Sequence, residues 1–301
     1  MKELVFVHGR AQQGKDSVGL KSEWIEALRI GLGKSNLQLP IDEARIRFPY
    51  YGDTLIDLVD GRSDGDAADV VVRGDGNDAD KRQFMLAILQ DLQEQTGITD
   101  EQVAELASDE VAERGVANWG WVQSILKAVD RYVPGGSGAS IALVTNDVFH
   151  YLKNSTIRER IEIGVAKAIS PGVETVVVSH SLGTVVTYNL LRREGHLRGW
   201  KVPFLVTLGS PLGVTAIRKT IRGFAPTRCP ECVSSWFNVR DERDVVALYP
   251  LDVKNFPLVP ELPLVENTAH VQNHTENRHG IEGYLDDREV ALRIYGALIS
   301  T

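Results

Sequence analysis

The run Val176-Val177-Val178-Ser179-His180-Ser181-Leu182-Gly183-Thr184-Val185-Val186 changes character at Ser181. Before the serine it is valine-rich, the pattern of a strand buried on both faces. After it, apolar residues recur with helical spacing. A strand that turns into a helix at one residue strains the backbone there and lifts the side chain out of the sheet's C-terminal edge. Small residues two before and two after the serine, Ser179 and Gly183, let strand and helix pack closely. The helix start supplies backbone N–H groups and a positive dipole end where an oxyanion would develop. A serine hydroxyl is a weak nucleophile until a base removes its proton, so a histidine and an acid are needed. The plain alternative is a serine at an ordinary strand–helix turn.

Two further segments belong with this one. His8-Gly9-Arg10 follows the first apolar run, and Gly209-Ser210-Pro211-Leu212 follows the run after the serine helix. Together the three segments resemble the α/β-hydrolase superfamily, particularly its lipase- and esterase-like members. Their turn reads Gly-x-Ser-x-Gly, and Ser179 departs from it at the first position. The resemblance implies an α/β-hydrolase fold, a mainly parallel sheet with helices on both faces. It implies an oxyanion hole made by the backbone N–H of Arg10 (or Ala11) and of Leu182. His8 need only shape its turn for that loop to work. The resemblance also implies the chain order Ser, then Asp or Glu, then His. His8, His150 and His180 precede Ser181, and His196 lies on or just past the helix after it. His270, His274 and His279 remain. His279, in the loop before the last helix, is the preferred base; His274 is the alternative, and His270 sits at or near the last strand. For the acid, Asp244 stands directly before Val245-Val246 and is preferred; Asp241 is the rival.

The activity implied is a serine hydrolase cleaving a carboxylic ester, lipid or other acyl ester, through a Ser-His-Asp triad and an acyl-enzyme. It needs no metal or organic cofactor. An acyltransferase using the same triad is the near alternative. A non-catalytic binding or regulatory protein on the same fold is the distant one. A lipase gated by a lid at a membrane surface is a third.

The same region contains a different pattern. Cys229-x-x-Cys232 and His270-x-x-x-His274 each have zinc-ligand spacing, although the gap between the pairs is far longer than in a zinc finger. The plainer account is two reduced cysteines in a proline-punctuated loop. Asp75-Gly76-Asn77-Asp78-Ala79-Asp80 offers oxygen ligands, but without the spacing or closing Glu of an EF-hand loop. No metal is expected.

The elements that must position these residues follow an α/β rhythm. Strands are expected at Leu4–Val7, Ala44–Phe48, Thr175–Val178, Phe204–Leu208, Ser235–Val239 and from Leu264. Helices are expected at Trp24–Leu32, Ile141–Leu152, Ile157–Ile169 and Leu182–Arg193, with a last helix capped by Asp286. Residues 53–80 interrupt the rhythm with nine aspartates. Helical spacing returns at Gln83–Gln95 and Trp119–Val129, and Pro134–Gly138 breaks it, a candidate hinge. Residues 53–138 are therefore expected to be a mainly helical insertion, a candidate lid, within a single domain of 1–301. Its tryptophans serve core packing in the plain account.

The chain has 301 residues, 43% of them hydrophobic and 25% charged, with a net charge of −8. That is globular composition, and the charge argues against a general nucleic-acid binder. No apolar run is long enough to span a membrane, and the N-terminal run is too short for a signal peptide. The expectation is a cytoplasmic protein whose partner is a small-molecule or lipid ester, with at most transient membrane-surface contact.

Overall fold

The computed structural model describes residues 2–9, 17–51, 79–108, 111, 119–223 and 226–300. Six strands form one sheet: β1 (Glu3–Val7), β2 (Ile46–Arg47), β3 (Thr175–His180), β4 (Leu205–Leu208), β5 (Trp236–Val239) and β6 (Val265–Thr268). Their order is β2-β1-β3-β4-β5-β6, and every pairing is parallel. This is an α/β fold. The central strands β1, β3, β4 and β5 are buried throughout because helices cover both faces. Along β3, Val176 and Val178 join one core with Leu4, Phe6 and Trp24. Val177 between them joins the other, with Val5, Leu182 and Val185.

Helices α1 (Ser17–Gly33) and the last helix, Arg288–Ile299, cover the first face. The second face is covered by α2 (Ala79–Thr96), α3 (Asp100–Ala104), α4 (Trp119–Tyr132), α5 (Gly138–Lys153), α6 (Ser155–Ala166), α7 (Leu182–Glu194) and α8 (Thr215–Arg222). Trp121 is buried in that core, as plain packing requires. The chain between α4 and α5 is a tight joint. Gly138 N–H donates to Asp130 Oδ1 at 2.7 Å, and a Cβ at Gly138 would stand 2.5 Å from Leu126 O.

Two expectations need correction, the second strand and the cap of the last helix. Ala44–Phe48 is not a full strand: Glu43–Arg45 form a 3₁₀ turn capped by Asp42, and only Ile46–Arg47 pair with β1. Asp286 does not cap the last helix. It ends a short helix, α9 (Glu282–Leu285), and Asp287 is the cap of α10 (Arg288–Ile299), accepting from Glu289 N and Val290 N. Cys229, Cys232, His270 and His274 do not gather into a metal site. Among the described residues no group of three or more His, Cys, Asp or Glu side chains is placed to hold an ion. Both cysteines are free, and burial pushes each thiol up to about 11. The whole of 53–78, including most of the oxygen-rich run at 75–80, lies outside the described residues. Among the described residues no helix is long and apolar enough to cross a membrane.

Candidate active site

The turn at Ser181 is strained. Its φ of 54° and ψ of −129° lie outside the regions that L side chains favour. Three hydrogen bonds hold it directly, and two more brace it. Ser181 N–H donates to Leu208 O at 3.1 Å, and Thr184 N–H donates to Ser181 O at 2.9 Å. Thr184 Oγ1 also donates to Ser181 O at 2.7 Å. With its proton committed there, Thr184 Oγ1 accepts from Ser210 Oγ at 2.8 Å, and Ser210 Oγ accepts in turn from Leu212 N at 3.3 Å. The Gly-Ser-Pro turn thus braces the serine turn from the neighbouring strand.

Close approach explains the glycines. A Cβ at Gly183 would stand 2.3 Å from Val7 O and 2.5 Å from His8 O. One at Gly9 would stand 2.8 Å from Ser181 Cβ. Two residues before Ser181, the buried Ser179 Oγ donates to Val206 O at 3.2 Å inside the sheet.

Ser181 Oγ lies 2.9 Å from His279 Nε2, and His279 Nδ1 lies 2.7 Å from Asp244 Oδ2. All three side chains are buried. Asp244 Oδ1 accepts from the backbone N–H of Val246 at 2.9 Å and of Ala247 at 3.4 Å. Its Oδ2 also accepts from the Tyr284 hydroxyl at 2.6 Å. Burial and the Asp244 charge hold the Tyr284 phenol well above its usual range, so it remains a donor. With Nδ1 donating to the carboxylate, Nε2 is left to accept from the serine hydroxyl.

The two alternatives have other partners. Asp241 takes two bonds from the Arg243 guanidinium, at 2.9 and 2.5 Å. It also accepts from Arg243 N at 2.8 Å and Asn273 N at 2.7 Å. Burial pushes its carboxyl up, but these donors outweigh burial and hold it below the usual range. It ties two loops together and bonds no histidine side chain. His274 is 61% exposed and pairs with Asp286 at 3.1 Å.

Two residues near the serine were not expected in the site. His180 donates from Nε2 to His279 O at 2.8 Å, and its ring lies 4.7 Å from the His279 ring. Burial and the neighbouring His279 push His180 well below its ordinary value. Tyr284 is the other, and it follows His279 by one helical turn and a short link. The signal for His180 was its place beside Ser181. Tyr284 had none, because its partner lies 40 residues away.

His8 shapes its turn. Its Nδ1 donates to Gly9 O at 2.7 Å, its Nε2 accepts from Tyr51 N at 3.3 Å, and its ring stacks on Tyr51 at 4.1 Å. Burial lowers it from 6.5 to about 4. The unfolded chain therefore binds a proton between those values that the folded chain refuses. His8 stability is complete above pH 6.5 and is lost as pH falls toward 4, at about 1.4 kcal/mol per pH unit. Urea midpoints measured across that window should fall on acidification, and His8→Asn should flatten the slope relative to wild type. Equal slopes would remove His8 from the account.

A cavity of about 170 Å³ opens on Ser181. Trp24, Leu143, Val144 and Ile281 give it apolar walls, and Ser140 and Asn277 add polar ones. Leu182 N–H is the first amide of α7 and has no partner inside the helix by geometry. Arg10 and Ala11, the other expected donors, lie outside the described residues. The arrangement can activate a serine oxygen and stabilise negative charge at a helix start. Compared with family models, curated proteins and solved structures, the chain matches none.

Proposed function

We propose that this chain is a serine hydrolase of the α/β-hydrolase type that cleaves a carboxylic ester. The observation that carries the reading is the continuous chain from Ser181 Oγ through His279 to Asp244, at 2.9 and 2.7 Å, on a strained turn facing a cavity. His279 Nε2 takes the serine proton as Oγ bonds to the ester carbon. The carbonyl π electrons move to oxygen, and Leu182 N–H with the loop after Gly9 would hold that oxyanion. The tetrahedral adduct then collapses, and the alcohol leaves with the proton from His279. Water, deprotonated by His279, attacks the acyl-enzyme, and Ser181 recovers its proton. Asp244 stabilises the imidazolium in both halves.

The test is labelling by a fluorophosphonate, with the adduct located by peptide mass. Labelling at Ser181 that is absent in Ser181→Ala is expected. Folded protein that does not label would sink the reading. Tyr284→Phe should still label, more slowly. It removes one charge-assisted bond from Asp244 while two backbone donors and His279 remain. A fall in kcat/KM of about tenfold is expected, below the ~1.5–3 kcal/mol of a full bond to a charge. An unchanged rate would show that the backbone alone holds Asp244.

A further inference from the structure

A second, smaller cavity adjoins the one that opens on Ser181. It measures about 20 Å³, against about 170 Å³ for the first. Val144 of α5 lines both and is their shared wall. Other walls of the second cavity come from the site itself. Val245 and Val246 follow Asp244 directly, and Val246 N–H is one of the donors that hold its carboxylate. Pro211 follows Ser210, whose hydroxyl braces the serine turn through Thr184. Val148, one turn along α5 from Val144, and Ile217 of α8 supply further walls. Val144 is half-buried, and Val148, Ile217, Val245 and Val246 are buried. Thr145 is the one polar residue among those lining this cavity.

The two cavities suit different halves of an ester. The first contains His279, with Ser140, Asn277 and Glu282 as polar walls. In the hydrolysis of an ester the alcohol leaves with the proton from the histidine, and water then enters at the same group. Both must pass through the cavity that holds His279. The acyl chain stays bonded to the serine through both steps, so it can occupy a pocket with no exit of its own. A void walled by apolar side chains stays dry, so hydrocarbon fills it without displacing ordered water. A polar or charged chain end would be left there without partners. A water-sized group needs roughly 10–15 Å³ on this scale, so the space takes about one or two carbons.

We propose that this second cavity receives the end of a short, unbranched acyl chain, and that Val144 at its edge sets the chain length the site accepts. The assignment rests on the proposed hydrolysis at Ser181 and narrows its substrate to esters of short aliphatic acids. Longer chains have no room between Val144, Val148 and Ile217.

Hydrolysis of p-nitrophenyl acetate, butyrate, pentanoate and octanoate tests it. Each methylene that enters an apolar site is worth about fourfold in kcat/KM. Butyrate should therefore exceed acetate by about tenfold, and octanoate should fall below butyrate. Val144→Ala should raise octanoate relative to butyrate by more than about tenfold, because it opens the shared wall. Val148→Phe should lower butyrate relative to acetate by about tenfold, because the ring fills the space. Ile217→Val is the milder change and serves where Val148→Phe does not fold; it should raise pentanoate relative to butyrate by about fourfold. Chain-length ratios equal to wild type in all these variants would overturn the proposal, and so would a wild type that prefers octanoate. Ethyl butyrate and ethyl octanoate titrated into Ser181→Ala read the same cavity without turnover. Butyrate should bind more tightly, and adding Val144→Ala should reverse that order. Fluorophosphonate labelling of Ser181 with unaltered ratios would remove the cavity from the account and leave the hydrolysis standing. Butyrate selectivity in Ser181→Ala, with no labelling of wild type, would do the reverse.

Discussion

Asp244→Asn should leave the protein folded and reduce kcat/KM by about ten-thousandfold. The size of the loss follows from which atom lands where. Val246 N–H and Ala247 N–H both point at Oδ1. They require an acceptor, so the Asn carbonyl oxygen takes that position. The NH₂ group is then forced into the place of Oδ2, facing His279 Nδ1 and the Tyr284 hydroxyl. An NH₂ donates, so Nδ1 must accept, and the ring proton moves to Nε2. In that tautomer His279 has no lone pair for the Ser181 proton. The imidazolium also loses the charge beside it. Asp241→Asn should behave in the opposite sense. It breaks the paired Arg243 bonds and weakens the tie to Asn273, so its cost falls on stability, on the order of 1–3 kcal/mol. Its phosphonylation rate should stay within about tenfold of wild type. Urea unfolding and the rate of fluorophosphonate labelling separate the two variants. A large rate loss in Asp241→Asn with a small one in Asp244→Asn would reverse the assignment.

The legible parts of this chain are those whose physical cause is local. A strand buried on both faces is mostly apolar, so Leu4–Val7 and Thr175–Val178 stand out without any partner in view. The serine turn is legible for the same reason: strand, small residue, serine and glycine lie within one short window. The choice between Asp244 and Asp241 is not local. Both are buried, both sit in one loop and both bond backbone amides. What separates them is Arg243, which folds back on Asp241, and the arrival of His279 from 35 residues away at Asp244. Tyr284 was hidden because a buried aromatic in a short helix has the pattern of core packing, and its hydroxyl partner belongs to another loop. The second strand was overextended because Phe48 is apolar for another purpose: it packs on Trp24 and His8 rather than continuing the ladder. The misplaced cap has the simplest cause. Asp286 and Asp287 are adjacent, and only the course of the preceding short helix decides which one faces the free amides of α10.

Gly183→Ala should cost more stability than its chemistry suggests, and should damage the site as well. In an ordinary helix this change gains up to about 1 kcal/mol, because alanine restricts the unfolded chain and favours the helix. Here the added Cβ would lie 2.3 Å from Val7 O, 2.5 Å from His8 O and 2.9 Å from His8 C. These are backbone atoms at the end of a strand paired on both sides, so no side chain can rotate away. Either α7 lifts from the sheet or β1 shifts. Overpacking of this kind costs about 1–3 kcal/mol and occasionally more, which outweighs the propensity gain. Lifting α7 also moves Ser181 and Leu182 N–H together away from Gly9. Displacement of about 1 Å can reduce rate by about a hundredfold. Gly164→Ala is the matched control. Gly164 lies in α6, and a Cβ there meets nothing within 4 Å. That variant should be more stable than wild type by about 0.5–1 kcal/mol and should label at the wild-type rate. Chemical denaturation of the pair, with labelling rates on each, checks both halves. If Gly183→Ala gains stability as Gly164→Ala does, the contact between α7 and the end of β1 is looser than these distances require, and the turn at Ser181 must be held by its hydrogen bonds alone.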